Sequence, residues 1–296
     1  MLNHNDYPCS FKTSDAASLS CQKNHIIFFI MHTGLLILAA LFSSFIFDVN
    51  SNLYKMSVWG IIITLFLALT LKLVMKIVGW DKQWYDSRAV AESMKTATWR
   101  YLIGAKPFGL EHKQDEIDKK FVEEVNSIIK SRPSIQRAMS TCLASGKQIS
   151  DRMREVRKMT DIEEKKKIYL QGRVENQKNW YANKAKYNGR REQLWFAFII
   201  IAEVLAILLA FYMLNAKSNI FNPIGVITTL AGIFVAWTET KRFRELSQSY
   251  TLAAQELASA ASLIENVHDQ TSLAIYVDDT ENAISREHTM WCAKRS

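Results

Sequence analysis

The chain has 296 residues, a net charge of +8 at pH 7 and a mean hydropathy near zero. That length leaves room for one four-helix membrane unit and one polar layer, but hardly for a separate enzyme of ordinary domain size. Its four cysteines, Cys9, Cys21, Cys142 and Cys292, show no C-x-x-C spacing, which argues against a disulfide framework or a zinc site and makes free thiols the default.

Residues 1–25 mix Asn, Ser, Asp and Lys around Pro8 with little periodicity and read as a flexible cytoplasmic arm. Two apolar runs follow, Ile26–Phe47 and Val58–Val78, and predict a first transmembrane hairpin over residues 26–79. Each is about long enough to cross a hydrocarbon core of roughly 30 Å at 1.5 Å per helical residue. Lipid offers no partner for backbone polar groups, so runs without β-type alternation must cross as helices. The first run is too long for a signal-peptide core and has no strongly basic start before it, so it is expected to remain as a span.

Residues 80–193 predict a cytosolic helical region. Helix continues from Trp80 to about Ile103, where Gly104 and Pro107 stop it. Ile117, Phe121, Val125 and Ile128 mark an amphipathic helix within Leu110–Lys130, ended at Arg132-Pro133 because a residue before proline leaves the helical region. Ser134 to about Lys158 predicts a further helix. From Asp161 helix formers run as one rod into the third span, with Gly172 and Gly189 each weakening it by about 1 kcal/mol relative to Ala.

A second apolar pair, Leu194–Leu214 and Ile220–Trp237, predicts a second hairpin over residues 194–237, and residues 238–296 read as C-terminal cytosolic helices. Phe243, Leu246, Tyr250, Ala253, Leu257, Ala260, Ile264 and Val267 keep an unbroken 3, 4, 3, 4 spacing, a four-heptad seam whose alanines ask for a close partner helix, within the chain or in a symmetry-related copy in preference to a helix from another protein. Asp278–Lys294 predicts a short helix with an acidic start suited to the helix dipole. A weak internal repeat is visible, since each span pair has a short outer loop and ends in Trp80 or Trp237 before a long polar helix.

Charge distribution sets the expected topology. Residues 80–193 hold 25 Lys or Arg against 16 Asp or Glu, whereas residues 238–296 hold 6 against 9. Lys23, Lys72 and Lys76, Arg190-Arg191 and Lys241-Arg242-Arg244 border the four runs on one side, while the outer loops carry only Lys55 and Lys217. The positive-inside bias then puts both termini and the long middle in the cytoplasm, and accounts for the basic middle without a nucleic-acid partner.

Within the spans, Glu203 lies about nine residues, or roughly 13 Å, from the inner end of the third, too deep to reach water by stretching. His32 and Lys72 lie roughly 9 to 10 Å from the same face, so the three are expected to meet inside the bundle. They form either a pore-lining or gating cluster or interhelical glue around a protonated Glu203, with Lys72 also able to snorkel. Ser43, Ser44, Thr64, Thr70, Thr228 and Thr229 add mild polarity and commonly bond back to their own helix. Arg88 and Glu92, at i and i+4, read as a surface pair or as partners of Arg286, Glu287 or Trp291 in the tail, and Trp291 reads as a packing anchor.

Catalytic signatures are absent. Gly146-Lys147 is followed by Gln148 and has Thr141 where a phosphate loop needs its first glycine. No H-E-x-x-H, G-x-S-x-G or G-x-G-x-x-G occurs. No enzyme, metal site or cofactor is expected.

Trp84, Arg88, Ala91-Glu92, Lys95, Trp99 and Lys106-Pro107-Phe108 resemble the segment after the first span pair in the SLATT family, the SMODS- and SLOG-associating two-transmembrane effector domains of bacterial conflict systems. Gln177, Trp180-Tyr181 and Lys184, then Ser249-Tyr250 with Glu256-Leu257, and finally Ile284–Trp291 are similar to its later motifs in the same order. The resemblance implies a membrane effector of the bacterial plasma membrane, forming pores or otherwise disrupting the bilayer when a sensor or nucleotide signal activates it. No sensor or enzyme domain is recognisable at either end of this chain, so the expected trigger is a partner such as a separate sensor protein, a bound ligand such as a nucleotide signal, or something the sequence hides. The expected architecture is all-α, two transmembrane hairpins and a cytosolic layer of long helices, assembled as a homo-oligomer. The alternatives are a small proton- or cation-coupled transporter using Glu203, and a structural membrane scaffold recruiting proteins through the seam.

Overall fold

The computed structural model describes residues 2–111, 113–214 and 221–293, with backbone alone over 286–293. Among these residues every regular element is helical, and the one β feature is an isolated antiparallel bridge between Phe45 and Phe221. The helices are α1 (Cys9–Ser44), α2 (Asn52–Val78), α3 (Trp80–Ile103), α4 (Gln114–Lys130), α5 (Gln136–Ser140), α6 (Asp151–Lys158), α7 (Ile162–Tyr169), α8 (Asn176–Leu214), α9 (Ile224–Lys241), α10 (Phe243–Leu263) and α11 (Gln270–Ala293). A π-helical segment, Leu170–Glu175, joins α7 to α8. The chain forms two compact units, a membrane unit of residues 24–79 and 186–247 and a core unit of residues 1–23, 80–185 and 248–296.

The membrane unit is built from helices whose outward faces stay apolar. Ser51 caps α2 by accepting from the Tyr54 N–H, and Gly79, at φ 64°, ends it with its N–H on the Met75 carbonyl. A residue with a Cβ is strained at that positive φ. Against α1, the Ser57 hydroxyl donates to the Phe42 carbonyl at 2.8 Å, and Gly60 lies under the Phe42 ring so closely that a Cβ there would sit 2.9 Å from a ring carbon. The Asn222 N–H donates to the Ser44 carbonyl at 2.7 Å, tying the start of the α9 segment to the end of α1. Trp195 of α8 packs on Phe234 and Trp237 of α9, and Trp237 in turn meets Phe29 of α1. Phe66, Ile77, Phe196, Phe211 and Leu214 are left exposed, a surface that only lipid or another protein satisfies.

Three helical stretches, Cys9–Ser44, Asn52–Ile103 and Ile162–Leu214, are long and apolar enough to cross a bilayer. The protein is an all-α integral membrane protein. The fourth predicted span falls on α9, which is not among the three. It has 18 residues, about 27 Å at 1.5 Å per residue, and its last turn carries Glu239 and Lys241.

The core unit is centred on α3, which buries Val90, Ala91, Met94, Ala97, Trp99 and Tyr101 through Ile103. Helix α11 packs along it. Helix α4 buries Ile117, Phe121 and Val125, as its spacing predicts, and Phe121 meets Tyr101 and Phe108 at ring distances of 4.8 and 5.7 Å. The seam buries Ala253 and Leu257 of α10, then Ile264 and Val267 in and after the 3-10 turn Ile264–Asn266, within the same chain: Tyr250 packs on Trp180 and Tyr181, and the Tyr276 hydroxyl of α11 donates to the Ala260 carbonyl. The predicted rod is continuous from α7 through α8, and Gly172 falls in its π-helical segment.

Three sequence expectations are corrected here. The flexible arm is instead the first turns of α1, which bury Phe11, Ser14, Ala17, Ser18 and Cys21 in the core unit. The helix expected over Ser134–Lys158 divides into α5 and α6, because the intervening loop is held to α1 by other bonds. The Cys9 N–H donates to the Lys147 carbonyl, the Ala144 N–H to the Thr13 hydroxyl, and Gln148 pairs with Ser10. Finally, α11 starts at Gln270, not near Asp278, since Asp269 accepts from the Ser272 N–H and caps it earlier.

Candidate functional site

Two sets of polar groups stand out, one in each unit. In the membrane unit, Glu203 on α8 and Lys72 on α2 are exposed and His32 on α1 is half-buried. The expected interior cluster of the three therefore does not form within the chain. Lys72 lies within electrostatic reach of His32. Among the described residues none of the three takes part in a hydrogen bond or an ion pair. The reason is register. In the apolar half of α8, Trp195, Ile199, Ala202, Ala206, Leu209 and Met213 are the less exposed positions, and Glu203, one residue after Ala202, is rotated about 100° from it. The span hydroxyls of Ser43, Ser44, Thr64, Thr70, Thr228 and Thr229 all donate to carbonyls of their own helix, so they are spent locally.

In the core unit, Glu281 of α11 is fully buried, and its carboxylate accepts four bonds. Arg173 Nε reaches Oε1 and Nη2 reaches Oε2, both at 2.8 Å, while the Thr96 hydroxyl donates to Oε2 at 2.8 Å and the Tyr169 hydroxyl to Oε1 at 3.1 Å. Arg173 is itself only 3 % exposed. Burial works against its charge, yet the Glu281 carboxylate outweighs this and holds the guanidinium above its ordinary value. Burial, and then Glu281, push the Tyr169 phenol well above its own. Arg173 stands in the π-helical segment beside Gly172, where a Cβ would come 2.9 Å from the Trp99 ring. That close approach lets the rod lie against α3 and brings the guanidinium to Glu281. Trp99 donates to the Tyr7 hydroxyl, which ties the start of the chain to the same centre.

Glu92 is 2 % exposed, so the Arg88–Glu92 pair is not a surface pair. Arg88 Nη2 reaches Glu92 at 2.6 Å and Nη1 reaches Asp15 of α1 at 3.2 Å, and the Glu92 charge holds the Arg88 guanidinium above its ordinary value. The tail partners considered for it, the side chains of Arg286, Glu287 and Trp291, lie outside the described residues, as does Lys217. Arg157 donates to the carbonyls of Tyr101, Phe108 and Gly109 and fixes the turn after α3. Lys165, almost wholly buried, donates to Gln270, and burial, then Arg157, lower its ammonium below the usual lysine range. These charged groups close on one another or on backbone and hold helices together.

Sequence reasoning missed Arg173 and Glu281. The signal was present in α11, where Leu273, Val277 and Ile284 keep a buried face and Glu281 falls on it. An acid in an apolar stripe calls for a buried partner.

Residues 8–166 match the family model described as SMODS and SLOG-associating 2TM effector domain 3, and residues 169–291 match the one described as SMODS and SLOG-associating 2TM effector domain 1. No curated protein and no solved structure matches the chain. The first match covers more than half of the sequence, and the two together run almost from end to end. The chain belongs to the SLATT family and carries two of its domains in tandem.

Proposed function

We propose that this tandem SLATT membrane effector acts by assembling into homo-oligomeric pores that depolarise the bacterial plasma membrane, in a defence or nucleotide-signalling conflict system. The observation that carries the reading is Glu203, a carboxylate about 13 Å inside a span and exposed on the chain taken alone. A carboxylate at the middle of a bilayer costs about 2.5 to 3.5 kcal/mol on insertion scales, so its face calls for a wet lumen or a protein partner. Two 2TM domains in tandem favour four crossings with both termini cytoplasmic, α9 serving as the short fourth. Activation falls to a separate sensor protein or its nucleotide product. A transporter would ask for the carboxylate inside the bundle of a single chain, and a scaffold gives no reason for it.

Planar-bilayer conductance of the assembled wild type and of Glu203→Gln tests this. The amide keeps the shape and removes the charge, so cation preference and current should fall. Equal current and equal selectivity in the two proteins would refute a wet, charged Glu203, and no conductance from any assembled wild type would refute the pore.

A further inference from the structure

Glu203 is not the only ionisable group left outward in the membrane unit. Lys72 is exposed on α2, carries the opposite charge and likewise has neither hydrogen bond nor ion pair among the described residues. The two helices run in opposite senses through the predicted bilayer. Lys72 lies six residues, about 9 Å, before the inner end of α2 at Val78, and Glu203 nine residues, about 13 Å, beyond the inner end of the third span at Leu194.

Side-chain direction brings these depths together. Each Cα–Cβ bond tilts toward the N-terminus of its helix. For α2 the N-terminus is the outer end, so Lys72 leans deeper into the bilayer; for α8 it is the inner end, so Glu203 leans back toward the cytoplasmic face. The difference of about 4 Å between the Cα levels is within reach of a lysine stem. The same tilt counts against snorkelling, since Lys72 must bend back along its own helix to find inner headgroups.

Within one chain, side-chain contacts step from α2 to α1, from α1 to α9 and from α9 to α8, so the two charges stand on the helices at the ends of that series. We propose that the occupant of both faces is a second copy of this chain: Lys72 on α2 of one subunit pairs with Glu203 on α8 of the next. A contact between two different surfaces of identical subunits is head-to-tail, and repeated around an axis it closes a ring. In that ring every subunit hides one cation and one anion from lipid with a single pair. The proposal rests on the homo-oligomeric reading above, takes the protein partner rather than the wet lumen as what covers the Glu203 face, and adds which residues meet.

Charge exchange in the full chain, reconstituted in lipid nanodiscs and sized by native mass measurement, is the test. Lys72→Glu and Glu203→Lys alone should each reduce the assembled fraction by about tenfold or more, and the double exchange should return it to within about threefold of wild type. Singles that assemble like wild type, or a double no better than the singles, would overturn the pairing. In a chain whose native cysteines are replaced, Lys72→Cys with Glu203→Cys, treated with a short bifunctional thiol reagent that spans the reach of the lysine stem it replaces, should give a cross-linked ladder beyond the dimer. A ladder that stops at the dimer would overturn the ring, and no cross-link at all would overturn the contact. Conductance of the double exchange separates this from the pore reading. Restored assembly without current refutes the pore and leaves the pairing intact, whereas persistent current in a chain that fails the exchange refutes the pairing alone.

Discussion

Arg173 and Glu281 offer the sharpest quantitative check on the core unit. Removing Glu281 leaves a guanidinium that is 3 % exposed with only the Thr96 hydroxyl, at 3.3 Å, among the partners described for it. Breaking such a buried pair from one side costs about 3 to 5 kcal/mol, because the surviving charge has no counterpart. Glu281→Leu and Arg173→Met should each cost that much. The double substitution removes both charges and leaves two hydroxyls, Thr96 and Tyr169, to find other acceptors. Thr96 can bond back along α3, and Tyr169 loses one bond worth about 1 kcal/mol. The double variant should therefore be more stable than either single one. Hydrogen exchange of the full chain in detergent reads the effect directly, since 4 kcal/mol is about a thousandfold loss of protection. The loss should appear in α3, in α11 and in the π-helical segment. Singles within about 1 kcal/mol of wild type, or a double whose loss is the sum of both, would show that the pair is not the keystone its geometry makes it.

Leu257, 2 % exposed, faces α10's intrachain partners, so Leu257→Asp should cost several kcal/mol and expose the amides of α10 and α11; unchanged exchange there would remove the seam from the core. Asp118 gives a pH dependence. Burial would raise its carboxyl, but hydrogen bonds from Tyr101, Arg154 and Gln114 outweigh burial and hold it below the ordinary 3.8. A depressed folded value means the contribution is full above pH 3.8 and is lost as pH falls through the folded value. Asp118→Asn should then melt earlier than wild type at neutral pH and converge with it in acid, and a constant difference across the range would refute the assignment. For topology, a cysteine placed at Asn50 in a chain with its native cysteines replaced should label from outside, and one at Lys119 only after permeabilisation; the reverse pattern would invert the proposed orientation.

The elements legible in the sequence were those fixed by periodicity and by strong breakers. The end of α3 at Ile103 came from the breakers Gly104 and Pro107, while the apolar face of α4 and the α10 seam came from side-chain spacing, which burial enforces wherever one face meets a core. What spacing misses is tertiary competition. The Ser134–Lys158 segment has helix-forming residues, yet bonds from Lys147, Gln148 and Ala144 to the start of α1 outweigh one more turn of helix. The depth of Glu203 was readable by counting residues, but its direction was not. One step along a helix is 100°, and only packed neighbours decide which arc faces inward. Arg88 and Glu92 failed as a surface pair for the same reason, since an i, i+4 pair reads alike whether a third helix covers it or not.

The join between the two SLATT domains explains why the core unit is assembled from distant parts of the chain. The first match ends at residue 166 and the second begins at residue 169, in the last turn of α7 before the π-helical segment. Yet α3, from the first domain, packs along α11, from the second. Thr96 from the first donates to the Glu281 carboxylate, which pairs with Arg173 from the second. Each domain alone would lack half of that packing and leave polar groups exposed to an apolar cavity or an apolar face exposed to water. A π-helical turn adds a residue to the helical register, so side chains on either side face differently than an unbroken α-helix would place them. At this join it turns Arg173 onto Glu281. The tandem arrangement thus gives one shared core to which both domains contribute side chains and which neither completes alone.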